Sequence, residues 1–425
     1  MSTLTVLTVG VSLVFGLQAM EAPADQSADW VARFDTARAA LQRNDYPEAV
    51  RIFGQCVAMS KTDSEKVTAL ASYGIVLSRV NRNGEAKTAL ERAVSEWAGE
   101  PRADRVVISG VLASVDRSLG DYQAAERVLR GAIADGSGGD GYRSALMVNL
   151  ADLLREEARG NEAQAVLEGA GQLTALSAGE RINVMMETAG LDMDMHLWDA
   201  SLALWKQIGE LARSDGESPR IGALVDGGLG EAWLAEGNLA RAEPLLRKSL
   251  QLLRNDPGTS QLQLATALAT LSRLYIDEDK LALAEEALSE AIARDEEGLG
   301  PGHPQIGALL ELRATILSRR GEAQDAREDL ERARTIMSGH FGPDSVAVGV
   351  VLTGLGDVER QARRTEEALK LYDEALRIFR QAGALNTAPG AAVVARYAAA
   401  LKAAHRKDEA RALIASSGGQ SFREQ

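Results

Sequence analysis

The stretch Leu229–Leu246, LGEAWLAEGNLARAEPLL, reads as two short amphipathic segments joined by a tight turn at Gly237-Asn238. It recurs. With Ala242 as the marker, Ala284 in LALAEEAL, Ala326 in EAQDAREDL, Ala368 in TEEALKLY and Ala410 in KDEARALI follow at steps of 42 residues, and one step back lands on Ala200 in DASLALW. Self-similarity at a fixed period of this length is the mark of a repeat solenoid. Twelve residues before each marker stand Thr188, Gly230, Ser272, Ala314, Gly356 and Ala398, all small. Four residues after it stand Leu204, Leu246, Leu288, Leu330, Tyr372 and Ile414, all large and apolar. Small residues let two helix backbones approach, and the large one fills the space beyond them. Each unit is therefore expected to be an antiparallel pair, helix A then helix B, with the marker on helix B against the small residue on helix A. Gly237-Asn238, Asp279-Lys280 and Gly321-Glu322 share one register, where a helix end needs Gly or a short polar residue.

Upstream the markers are Ala49, Ala86, Ala125 and Ala163, and the steps up to Ala200 are 37, 39, 38 and 37 residues. Uneven steps in the same pattern point to loops of varying length. The expected fold is all-α, an α-solenoid of about ten helix hairpins. An irregular block spans 28–170, a regular one 177–417, and a polar tail, GGQSFREQ, fills 418–425. The fifth unit holds Met185, Met186, Met193 and Met195 close together, either core filler or an adaptable surface. Gly136–Gly141, GSGGDG, matches G-x-G-x-x-G in letters alone, since no strand-like run precedes it; it is expected to be a loop between repeats.

The pieces LGEAWLAEGNLARAEPLLRKSL and LRATILSRRGEAQDAREDLERA resemble the tetratricopeptide repeat family. The 42-residue period and the loops LGPGHPQIG (Leu299–Gly307) and FGPDSVAVG (Phe341–Gly349) are similar to its kinesin-light-chain-type subgroup. In these loops Gly300-Pro301 and Gly342-Pro343 suit the stop of a helix B, and Pro304 suits the first turn of the next helix A. The resemblance implies a right-handed superhelix, with helices A lining a concave groove that binds a protein or extended peptide. The Lys/Asn clamp by which some members of the family hold a C-terminal carboxylate has no counterpart here.

Aromatic residues make up 4% of the 425, which suits thin helix pairs better than a thick globular core. The net charge of −14 disfavours nucleic-acid binding, because phosphate contact needs a basic surface. Cys56 is the one cysteine and reads as a small core hydrophobe. The histidines are His196, His303, His340 and His405, none paired at helical spacing, so no zinc site is expected. No catalytic residue, cofactor or metal is expected, and the chain reads as no enzyme. His303, between Gly302 and Pro304, reads as a structural loop residue. Leu4–Leu17, LTVLTVGVSLVFGL, is an apolar run of signal-peptide length followed by the small-residue sites LQA and APA. The first basic residue is Arg33, so the run lacks a positive start, and it could instead remain as an N-terminal anchor. Residues 1–24 are therefore expected to direct export to the periplasm or outside, with a cytoplasmic location the alternative.

Counted back from the markers, the groove candidates are Asn149, Asp152, Arg155, Glu231, Arg273, Asp277, Glu311, Thr315, Arg319, Thr353, Asp357 and Arg360. They alternate in sign and suit a peptide of mixed polarity; each could equally be a solvated helix face. The function expected is a non-catalytic scaffold for protein–protein interaction. The alternative is a structural component of an envelope assembly that self-associates through its terminal repeats. Enlarging a marker tests the fold directly: Ala284→Leu should overpack its helix pair and cost about 1–3 kcal/mol, read as a lower urea midpoint.

Overall fold

The computed structural model describes residues 27–43, 45–80, 82–96, 103–136, 138–157, 159–214, 219–385 and 387–417. The expected N-terminal segment 1–24 and tail 418–425 lie outside them. Twenty α-helices and no strand occur among the described residues, alternating as helices A and B. The first five pairs are α1 (Ala28–Gln42) with α2 (Tyr46–Met59), α3 (Asp63–Arg79) with α4 (Asn83–Ser95), α5 (Ala103–Ser118) with α6 (Tyr122–Asp135), α7 (Gly139–Glu156) with α8 (Gly160–Gly171), and α9 (Ala178–Asp194) with α10 (Trp198–Ser214). There follow α11 (Pro219–Ala235), α12 (Leu239–Asn255), α13 (Gln261–Asp277), α14 (Leu281–Leu299), α15 (Pro304–Arg319), α16 (Ala323–Phe341), α17 (Val346–Gln361), α18 (Thr365–Gln381), α19 (Ala388–Ala403) and α20 (Lys407–Ser416). Contacts divide the chain into two compact units, one up to Glu236 and one from Gly237. The chain is an all-α repeat solenoid.

The marker rule holds in the packing. Ala49, Ala86, Ala125, Ala163, Ala242, Ala284, Ala326, Ala368 and Ala410 are fully buried. A Cβ added at Gly356 would stand 2.6 Å from Cε1 of Tyr372, so the phenol ring lies where any side chain on α17 would intrude. Gly74 meets Leu90 in the same way. Each core is thus a pair of backbones held close, roofed by the large residue of helix B.

The turns repeat as strictly. The residue five before the marker adopts the left-handed conformation in Gly120, Gly237, Asp279, Gly321, Arg363 and His405. The next N–H then reaches back across the helix end: Lys280 N to Tyr275 O at 2.8 Å, Glu322 N to Leu317 O at 2.9 Å, Arg364 N to Glu359 O at 2.9 Å. That is the Schellman closure, which satisfies carbonyls the helix leaves open. Among the described residues six helices A begin with side-chain caps. Thr62, Ser177 and Ser260 form capping boxes with Glu65, Glu180 and Gln263. His303 caps α15, its Nδ1 accepting from Gln305 N at 3.3 Å, and Pro304 opens that helix as expected. Gly300 and Gly342 end α14 and α16.

The fifth repeat corrects the sequence register. Ala200 is exposed; its neighbour Ser201 is fully buried and its Oγ donates to Ala189 O at 2.9 Å. The left-handed residue is accordingly His196. Trp205 decides the shift. It is buried while Leu204 is only partly so, and a Cβ on Gly228 of α11 would come within 2.1 Å of its ring. Burying the larger apolar surface outweighs keeping the alanine in phase. The loop reading of GSGGDG is also adjusted: Gly136 and Gly138 have positive φ and cap the flanking helices, but Gly139–Gly141 already form the first turn of α7. The methionines take the filler role, Met186 and Met193 within the core and Met185 and Met195 packed against it. Cys56 is buried, and burial pushes its thiol up to about 11, so it stays protonated.

Two substitutions follow from the turns and the backbone approach. Arg363 bears a Cβ in a left-handed position, so Arg363→Gly should stabilise by about 0.5–1 kcal/mol, seen as a higher urea midpoint. Gly356→Leu should cost about 3 kcal/mol or more by driving Tyr372 from its place, seen in the same measurement.

Candidate functional site

Several successive helices A lie against one another, α5 on α7, α7 on α9, α15 on α17 and α17 on α19, while no two successive helices B approach as closely. The helix-A side is therefore the inner side of each stack, and side chains there either tie neighbouring repeats or face outward from the stack.

In the first unit they tie. Arg117 of α5 sends Nη1 to Asp152 Oδ2 at 2.6 Å and Nη2 to Glu156 Oε1 at 2.8 Å on α7. Arg155 of α7 pairs with Glu187 of α9 and donates to Asp194 Oδ2 at 2.7 Å. The side chains of Arg155 and Asp152 are 4% and 3% exposed. Two guanidinium groups thus face four carboxylates in one ladder through three repeats. Burial pushes the Glu187 carboxyl up, Arg155 opposes it, and the Asp152 charge adds to the rise. Burial likewise raises Glu156. Of the candidates here, Asp152 and Arg155 are ladder members, Asn149 is half-buried on α7, and Glu231 is buried on α11.

In the second unit the candidates split. Arg319 donates to Asp279 Oδ1 at 2.8 Å, linking α15 to the turn after α13. Thr353 is buried and its hydroxyl donates to Gly349 O within α17. Asp357 accepts from the Tyr372 hydroxyl at 2.7 Å and pairs with Arg396 of α19 at 2.6 Å. Arg273 is half-buried on α13. Asp277, Thr315 and Arg360 are exposed on α13, α15 and α17. Glu311 is half-buried on α15, and burial pushes its carboxyl up to about 7.

The sequence reading missed the partners that consume these positions: Arg117, Glu187 and Asp194 in one unit, Arg396 and Tyr372 in the other. A signal existed, since Arg117 and Arg155 both stand eight residues before their markers. It also missed Asp295. This residue of α14 is wholly buried with neither carboxylate oxygen hydrogen-bonded. At 42-residue steps its column reads Leu253, Asp295, Met337, Phe379, so a carboxyl occupies an apolar core position. Burial pushes it up to about 7, against a smaller lowering by the nearby Gln305 side chain. Among the described residues no group of three or more His, Cys, Asp or Glu side chains could hold a metal ion, and no helix is long and apolar enough to cross a membrane.

The tetratricopeptide repeat model matches residues 222–297 and 305–381. Over these residues the chain carries tetratricopeptide repeats. The step from Ala242 to Ala410 is 42 residues throughout. No curated protein matches the sequence. Among solved structures, the apo quorum sensor NprR from B. thuringiensis is similar at 15% identity, over 83% of this chain and 99% of that one, with a TM-score of 0.51. A kinesin light chain of Podosopora anserina with nearly identical TPR-like repeats shares 18% identity over 48% of this chain and 96% of its own, TM-score 0.42. BtubC (BKLC) from P. vanneervenii shares 17% over 56% and 94%, TM-score 0.45. The NprR likeness is one of fold.

The repeats' electrostatics are directly testable. Arg155→Met strands Glu187 in the interior and should cost about 3–5 kcal/mol, and adding Glu187→Met should recover much of that loss in a double-mutant cycle by urea denaturation. Asp295→Leu should stabilise by roughly 2–4 kcal/mol at pH 8. The folded Asp295 holds its proton up to about pH 7, whereas an unfolded one loses it near 3.8. The folded state thus binds more protons between those values, and its stability falls as pH rises through that window. Urea midpoints from pH 4 to 8 should show a shallower fall in Asp295→Leu than in the parent.

Proposed function

We propose that the chain is a non-catalytic scaffold whose helix-A faces bind a protein or extended peptide, and that it acts after export. The observation that supports it most is the second unit's inner face. Asp277, Thr315 and Arg360 lie exposed there on three helices A that the repeat holds in register. Adjacent exposed side chains of both signs on a stiff frame suit a partner that brings complementary charges. Tetratricopeptide repeats elsewhere serve as protein-binding scaffolds, and the repeats here supply the same extended surface. Export is supported by the apolar stretch Leu4–Leu17 and the small residues after it.

Double charge reversal, Asp277→Arg with Arg360→Glu, tests the binding face. Both side chains are exposed, so the melting temperature should hold within a few degrees. Cross-linked pull-down from envelope extracts should lose partners that the parent retains; an unchanged set would argue against this face. Cell fractionation with N-terminal sequencing tests export, the expected result being an envelope or external protein that starts after Ala19 or Ala24.

A further inference from the structure

Glu311 stands apart from the other ionisable groups of the second unit's inner face. Basic side chains of this unit are engaged with other acids. Arg313, on the same helix, grips Asp329 of α16 with two bonds of 2.7 Å. Arg319 is on Asp279, Arg320 on Glu285 and Glu322, and Arg396 on Asp357. Among the described residues no hydrogen bond or ion pair reaches the Glu311 carboxylate; the one bond to this residue is from the Thr315 hydroxyl to its backbone carbonyl, at 3.1 Å. Yet Glu311 is half-buried, and loss of water alone raises its carboxyl. An acid stripped of part of its water and left unpaired is unfavourable for the isolated protein.

Its place in the repeat sharpens the point. Glu311 stands fifteen residues before its marker, and the same place in the other helices A of the unit holds Ala269, Thr353 and Ala395. The first two are buried, and the Thr353 hydroxyl is spent within its own helix. On α15 itself, one turn to either side, stand Ala308 and Thr315, both exposed and short. Short, exposed neighbours along α15 leave the half-buried carboxylate within reach of a group brought from outside. A cation would restore what burial removed, and a partly dehydrated ion pair is stronger than one at the free surface. An ammonium fits better than a guanidinium. Three donors can be met by one carboxylate, the neighbouring hydroxyl and water, whereas five donors in a rigid fork need more acceptors than this place offers. The chain's net charge of −14 also favours a basic partner in diffusional encounter.

We infer that Glu311 is the anchor for a lysine side chain of an extended peptide lying on helices α13, α15 and α17. This rests on the scaffold reading above and names the chemistry of its partner.

The test uses the full chain and an array of immobilised random decapeptides, in three forms: unmodified, with every lysine acetylated, and with every lysine replaced by arginine. The parent protein should retain lysine-bearing peptides, lose them at least tenfold on acetylation, and bind the arginine forms more weakly. Glu311→Gln should lose the lysine-dependent capture by at least tenfold while peptides without lysine are held as before. Its melting temperature should be equal to or above the parent's, since the change removes an unpaired charge, so a folding defect would not mimic the result. Equal capture of lysine peptides by the parent and Glu311→Gln would overturn the anchor and leave the scaffold reading intact. Absence of capture of any peptide by the parent would overturn both.

Discussion

Two helix backbones can lie close together only where the residues between them are small, and each repeat depends on that constraint. Ala284, Ala326 and Ala368 are fully buried on helix B. Opposite them Ser272, Ala314 and Gly356 keep helix A within reach, and Leu288, Leu330 and Tyr372 close the remaining space. A thin pair of helices cannot bury its own faces. It gains a core by stacking on the next pair, so one local rule applied repeatedly builds each stack. With aromatics at 4% of the chain, such a core relies on close approach of backbones more than on bulk.

Charge does a second job that the apolar rule leaves undone. Apolar contacts alone would tolerate slippage between stacked pairs, whereas Arg117, Asp152, Arg155 and Glu187 pair only in one register. The second unit uses Arg319 with Asp279 and Arg396 with Asp357 for the same purpose. Side chains on a helix-A face are therefore divided between holding the stack and meeting a partner. Asp295 and Glu311 belong to neither group within the protein, since both carry buried or half-buried acids without a cation.

Where the sequence reading worked, it did so because the signal was phase. The left-handed turn at Arg363 and His405, neither of them glycine, obeys the same count as Gly237 and Gly321. Where it slipped by one residue, at Ala200, a bulky indole competed with a small alanine and took the interior. The candidate face was legible as a set of positions, but the role of each position was not. Asp152 and Asp277 both read as acids on a helix A; one is sealed in a ladder and the other is exposed.

The order of residues by itself determined the helix pairs and their turns, because these depend on spacing along one chain; the inner side was implied by the family resemblance. Only the tertiary structure decided which charges meet. Arg155 and Glu187 are 32 residues apart, and Arg319 and Asp279 are 40 apart. Their pairing depends on how one repeat is rotated and shifted against the next, and that is set by side-chain shape across the interface. The same packing decided that the Glu311 carboxylate would be left without a cation, half-buried on the inner face.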